Sequence, residues 1–138
     1  MLLALALLAC TSGKEDDSAT TAAPSITWLA PTDGATVTAG LVECSLVIDG
    51  FSLQDPSKHN DEGAPSGYVS LSDNDALALS TGETTFSITL SAGAHTLLAQ
   101  LYYADGDEVS ATTTQLCDED DTDTTCAPVT ASISVTAE

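Results

Sequence analysis

Between Cys117 and Cys126 runs Asp118-Glu119-Asp120-Asp121-Thr122-Asp123-Thr124-Thr125, the densest set of hard oxygen ligands in the chain. Ca²⁺ takes roughly six to eight oxygens from carboxylates, carbonyls and hydroxyls. Asp118, Asp120, Asp121 and Asp123, with Glu119, the threonines and backbone carbonyls, could supply them. The spacing is not that of an EF-hand, because the central glycine and the late glutamate are missing. Binding would then be weak, in about the millimolar range of extracellular modules. The same residues also read as a solvated loop whose charges repel, and the spacing favours that reading. Ca²⁺ is the one cofactor suggested, and none is required. His59 and His95 are the two histidines. Two histidines without a close partner do not make a metal site. His59 falls in a polar loop. His95 follows a glycine turn at the start of a strand, where a structural hydrogen bond is the expected role.

Other chemistry finds little footing. Gly-x-Ser-x-Gly, a phosphate loop, a Cys–His pair and a zinc set are all missing from the sequence. Carboxylate pairs abound, and their abundance singles out none. The expectation is a protein that is not an enzyme. The charge balance is extreme: 21 acidic residues stand against Lys14 and Lys58, with no arginine, for a net charge of −19. Nucleic acid is excluded as a partner, because its binding needs Lys and Arg to displace counterions. Electrostatic docking on anionic lipid is excluded for the same reason. The acid is read first as solubility and self-repulsion on an exposed protein. A cation site and adaptation to salty surroundings are the other two readings.

The elements that must position these residues are strands. From Ser25 onward the chain is rich in Thr, Ser, Val, Ile and Ala, and its short alternating runs are punctuated by Gly, Pro, Asp and Asn. That pattern predicts an all-β fold. Strands are expected at 25–29, 35–38, 41–48, 68–71, 76–79, 84–90, 95–103, 109–116 and 129–135. Thr32-Asp33-Gly34, Asp73-Asn74-Asp75 and Asp105-Gly106 supply turns, and a loop covers 52–67. The period of two places Val42, Cys44, Leu46 and Ile48 on one face, and Leu97, Ala99, Leu101 and Tyr103 on another. Phe86, Ile88 and Leu90 form a third inward set, and Val129, Ala131, Ile133 and Val135 a fourth. Residues 109–116 are expected to pair back on 95–103. Trp28 and Phe86 should lie in the core or at its rim. Tyr102 with Tyr68 is the only pair that could form an aromatic platform for a glycan.

Seven to eight short strands suit a Greek-key sandwich. The run Ile26-Thr27-Trp28-Leu29-Ala30-Pro31-Thr32-Asp33-Gly34-Ala35-Thr36-Val37 resembles the first-strand motif of bacterial immunoglobulin-like and fibronectin III-like domains. The run from Ser91 to Gly106, with its Gly93-Ala94-His95-Thr96-Leu97 entry and Asp105-Gly106 exit, resembles their penultimate strand. The resemblance covers residues 25–137. It implies a single immunoglobulin-like sandwich over 25–138 and is nearly silent on activity. Some such domains carry Gly-His-x-His in a middle strand. The matching place here reads Gly67-Tyr68-Val69-Ser70, so no metal or copper role is carried over.

The first ten residues end Leu7-Leu8-Ala9-Cys10, which resembles the lipobox of bacterial lipoproteins. The resemblance implies that residues 1–9 are the apolar part of a signal peptide, that the chain is cut before Cys10, and that Cys10 carries acyl chains. No Lys or Arg precedes Cys10, so a basic stretch is expected upstream of Met1. A buried N-terminal segment ending in Ala-Cys is the alternative. Residues 10–24 are small, polar and acidic, and are expected to form a disordered tether. Thr11 rather than Asp after the cysteine leans the implied address toward the outer membrane of a bacterial envelope. With Cys10 lipidated in an oxidising compartment, Cys117 and Cys126 are expected to pair and Cys44 to be a small buried hydrophobe. A bridge from Cys44 to either of the others stays open. Together these expectations describe a monomeric, lipid-anchored immunoglobulin-like module with a structural, adhesive or accessory binding role. A protein or glycan partner is the class that remains. A Ca²⁺-binding domain using the 117–126 loop and a carbohydrate-binding accessory module are the alternatives.

Overall fold

The structure is a computed structural model and describes residues 23–56, 66–112, 116–117 and 125–138. Eleven strands follow one another among the described residues: β1 (Ser25–Ala30), β2 (Ala35–Val37), β3 (Gly40–Asp49), β4 (Ser52–Leu53), β5 (Ser66–Asp73), β6 (Ala76–Thr81), β7 (Thr85–Leu90), β8 (Gly93–Tyr103), β9 (Ser110–Ala111), β10 (Ala127–Pro128) and β11 (Thr130–Ala137). They form an all-β sandwich. One sheet has the order β1-β3-β7. The other has the order β2-β11-β8-β5-β4, with β6 also on β5. The chain crosses repeatedly between the two sheets. β2 runs parallel to β11, while β8 is flanked antiparallel by β5 and β11.

Alternation explains which side of each strand is buried. His95, Leu97, Ala99 and Leu101 of β8 face inward, as do Val69 and Leu71 of β5. Val42, Cys44 and Leu46 of β3 oppose them with Ile88 and Leu90 of β7. Each such buried aliphatic side chain contributes about 1.5–3 kcal/mol. Trp28 lies on β1 and reaches across the sandwich, where its Nε1–H donates to the Ala131 carbonyl at 3.0 Å. Its ring touches both halves of the core, as do Leu79 and Phe86.

Gly67 shows how closely β5 and β8 approach. A Cβ there would collide with the Tyr102 carbonyl, so only hydrogen fits. The β5–β6 hairpin turns through Asn74 and Asp75, both at positive φ (48° and 68°). Two consecutive left-handed residues suit the right-handed twist of the strands they join.

Two expectations change. The described part of 109–116, residues 109–112 and 116, does not form a strand against β8. Its neighbours are β5 and β11, and β11 takes it from Gln100 back to Gly93. The returning chain makes one bridge, Tyr102 to Glu108, and then pairs as β9 with β10. Leu116 makes an isolated bridge with Ala111. The 52–67 loop holds β4, which pairs parallel with the first residues of β5. At the N-terminal end of the described residues, Pro24 is buried and Ala23 packs on the core.

Candidate functional site

Three places bring chemistry-bearing side chains together. The first is at the end of the sandwich where β5 finishes and β8 begins. His95 is buried, with Nδ1 2.8 Å from both carboxylate oxygens of Asp73. Its Nε2 lies 2.7 Å from the Ser91 carbonyl. A carboxylate and a carbonyl can only accept, so both ring nitrogens must donate, which requires the imidazolium. The Ser91 bond and then the Asp73 bond hold the His95 pKa above its ordinary 6.5, against the opposing effect of burial. Asn74 completes the clamp. Its Oδ1 accepts from the Thr96 amide at 2.9 Å, and its own amide donates to the Thr96 carbonyl at 3.0 Å. His95 takes the structural hydrogen-bonding role read from the sequence. Asp73 and Asn74 had been read only as turn residues. The signal for their second role is a lone histidine near a glycine turn with an acid at the tip of the preceding hairpin.

The second place is the outer face of the larger sheet. Tyr68 and Tyr102 are cross-strand neighbours whose rings stack at 5.6 Å with 12° between planes. Burial, then Glu108, then Tyr68 push the Tyr102 hydroxyl pKa up. Each ring gives one face to the other, so the two stand as parallel plates on the sheet. A flat platform for a sugar ring would need them side by side.

The third place is the open side between β6 and β7. Leu79 and Phe86 are only half-buried there. Next to the start of β7 an open cavity of about 440 Å³ is lined by Ile48, Phe51, Leu53, Glu83, Thr84 and Thr85. Gly82 packs against the backbone of Gln54 and Asp55 at its rim.

The cysteines divide as follows. Cys117 and Cys126 are joined, with Cα atoms 6.3 Å apart. Cys44 is free and buried on β3, where burial pushes its thiol up to about 11. The alternative bridges from Cys44 are therefore not formed. Cys10, the 1–9 segment, the tether up to residue 22, His59, and Asp118, Asp120, Asp121 and Asp123 lie outside the described residues. Among the described residues, no three His, Cys, Asp or Glu side chains converge to hold a metal. No family model, curated protein or solved structure matches the chain.

Proposed function

We propose that this chain is a lipid-anchored protein of a bacterial cell envelope, held through Cys10, whose sandwich serves as a structural, adhesive or accessory binding module without chemistry of its own. The observation that carries the reading is the bonded pair Cys117–Cys126. Structural disulfides persist in oxidising compartments and are rare in the cytosol. The run Leu7-Leu8-Ala9-Cys10 supplies a route to such a compartment and a way of staying at its membrane. The fold supports the same reading. An open cavity joins Pro24 and Ser25 to Ala111, Thr125 and Pro128, so the chain enters the sandwich at the disulfide end. An anchor upstream of Ser25 would turn that end to the membrane and the His95–Asp73 end outward.

The test is fractionation of cells making the protein from its native gene, beside a Cys10→Ser variant, with intact mass read on both. The expected result is membrane retention and a mass corresponding to cleavage before Cys10 plus acyl chains, both lost in the variant. Equal membrane retention of Cys10→Ser would overturn the anchor.

A further inference from the structure

Among the described residues, β7 is an edge strand with one side paired. The register with β3 and the bond from the Leu46 amide to the Thr84 carbonyl, 2.8 Å, set the hydrogen-bonding phase. In an antiparallel ladder, residues alternate between bonding their partner and facing away. Phe86, Ile88 and Leu90 thus bond Cys44, Val42 and Gly40. Thr85, Ser87 and Thr89 turn their N–H and C=O groups to the other side, where no strand pairs among the described residues.

Proteins normally blunt such an edge with a charge, a proline, a bulge or a cover. β7 reads Thr-Phe-Ser-Ile-Thr-Leu, with no charge and no proline, and its pairing with β3 has no bulge. The facing edge strand, β6, is equally uncharged and carries Leu77 at 71 % exposure. In a chain of net charge −19, these two edge strands thus carry no charge of their own and are extended and partly apolar. Behind it lie the half-buried Leu79 and Phe86 and the cavity floored by Ile48, Phe51 and Leu53.

We propose that the β7 edge is a docking site for an extended, basic segment of another protein, which adds to the β1-β3-β7 sheet as a fourth strand. The backbone row demands an extended occupant, because only a strand pairs Thr85, Ser87 and Thr89 in turn. Alternate side chains of that strand would point between the sheets, over Leu79 and Phe86, and these should be apolar. The others would face outward beside Glu43, which pairs with Ser87, and beside Glu83. Both acids are exposed, and the described residues include no Lys or Arg. The outward positions therefore suit Lys or Arg. A second copy of this chain would bring another 19 net negative charges against those already present, so charge favours the basic partner. The proposal rests on the reading of the domain as a binding module and is independent of the anchor.

The experiment is amide hydrogen exchange on the full chain, alone and with a synthetic peptide of alternating Val and Lys. A peptide of alternating Val and Glu is the control. In the free protein the Thr85, Ser87 and Thr89 amides should exchange much faster than those of Phe86, Ile88 and Leu90. The Val-Lys peptide should slow the first three by roughly tenfold or more, and the Val-Glu peptide should not. Ser87→Pro removes one outward donor while leaving the β3 ladder intact, and should abolish the effect with little change in melting temperature. Should that variant not fold, Ser87→Lys sets a like charge against the Val-Lys peptide and should weaken its binding. Protection of the three amides in the free protein at high dilution would overturn the proposal, because another part of the chain would then cover the edge. Absence of protection by the Val-Lys peptide would also overturn it. Concentration-dependent self-association that Ser87→Pro removes would replace the basic partner with a second copy. Release of the Cys10→Ser variant from membranes bears on the anchor alone.

Discussion

Asp73 and His95 are 22 residues apart in the chain and 2.8 Å apart in space, tying the last residue of β5 to the third residue of β8. Both partners of the ring are acceptors, so the charged imidazole is the form the fold holds.

Stability should therefore depend on pH with a definite sign. The folded pKa of His95 is raised above 6.5. A raised folded pKa means the native state binds the proton more tightly, so the contribution is complete below about pH 6.5 and is lost as pH rises through the folded value. Chemical denaturation at pH 6 and pH 9 should show His95→Gln costing about 1.5–3 kcal/mol at the lower pH and clearly less at the higher. A cost that is larger at pH 9 than at pH 6 would mean that the ring is held neutral.

Removing the disulfide should loosen the end where the chain enters. Cys117 and Cys126 are nine residues apart, and closing a loop of that size in the unfolded chain is worth about 2–3 kcal/mol. The double variant Cys117→Ser with Cys126→Ser should lower the unfolding free energy by that amount. The most exchange-labile amides should then lie in β9 and β10, which pair with each other and not with the main sheets.

Cys44 should resist alkylation while the protein is folded. The thiolate is the reactive species, and a thiol pushed up to about 11 inside the core is almost wholly protonated at neutral pH. Iodoacetamide should label it at the rate of global unfolding, and urea should release the block. Rapid labelling of the native protein would show a local opening of β3.

Gly67→Ala should be costly, although its backbone needs no special angle. The added methyl meets the Tyr102 carbonyl in the neighbouring strand, and backbone cannot swing aside. Overpacking of this kind costs about 1–3 kcal/mol. Thermal melting against the exposed control Gly34→Ala, where the methyl meets open space, would separate crowding from strain, since the control carries a positive φ of 80°.

Much of the sandwich is legible in the alternation of Leu97, Ala99 and Leu101, because a period of two marks a strand with one buried face. The same signal names the inward residues of β3, β7 and β11. Alternation is silent on a strand's lateral neighbours, which is why residues 109–116 read as a partner for β8. That strand's sides were already occupied by β5 and β11, a fact held in segments far away along the chain. The edge position of β7 among the described strands was hidden for the same reason: side chains report faces, and edges are made of backbone. His95 was legible as a hydrogen-bonding residue and Asp73 as part of a turn. Their pairing depends on the register of β5 against β8, which sets Asp73 beside Leu97. The free Cys44 followed from its place on an inward face. The acidic run between Cys117 and Cys126 has no apolar period from which a shape could be read.

The register of β1 on β3 has a mechanical consequence. Ser25 pairs with Asp49, so β1 begins at the end where an anchored chain would enter and runs inward antiparallel to β3. Tension applied between a membrane and anything held by the sandwich would pull β1 lengthwise. The bonds linking Ser25, Ile26, Thr27 and Trp28 to β3 would then be loaded together in shear. They would not open one at a time, as a strand peeled sideways would. The Trp28 ring, bonded to Ala131 in the opposite sheet, would act as a stop against that sliding. A domain entered in this way can hold a tug along its long axis without loading the outer side of β7, which no strand pairs among the described residues.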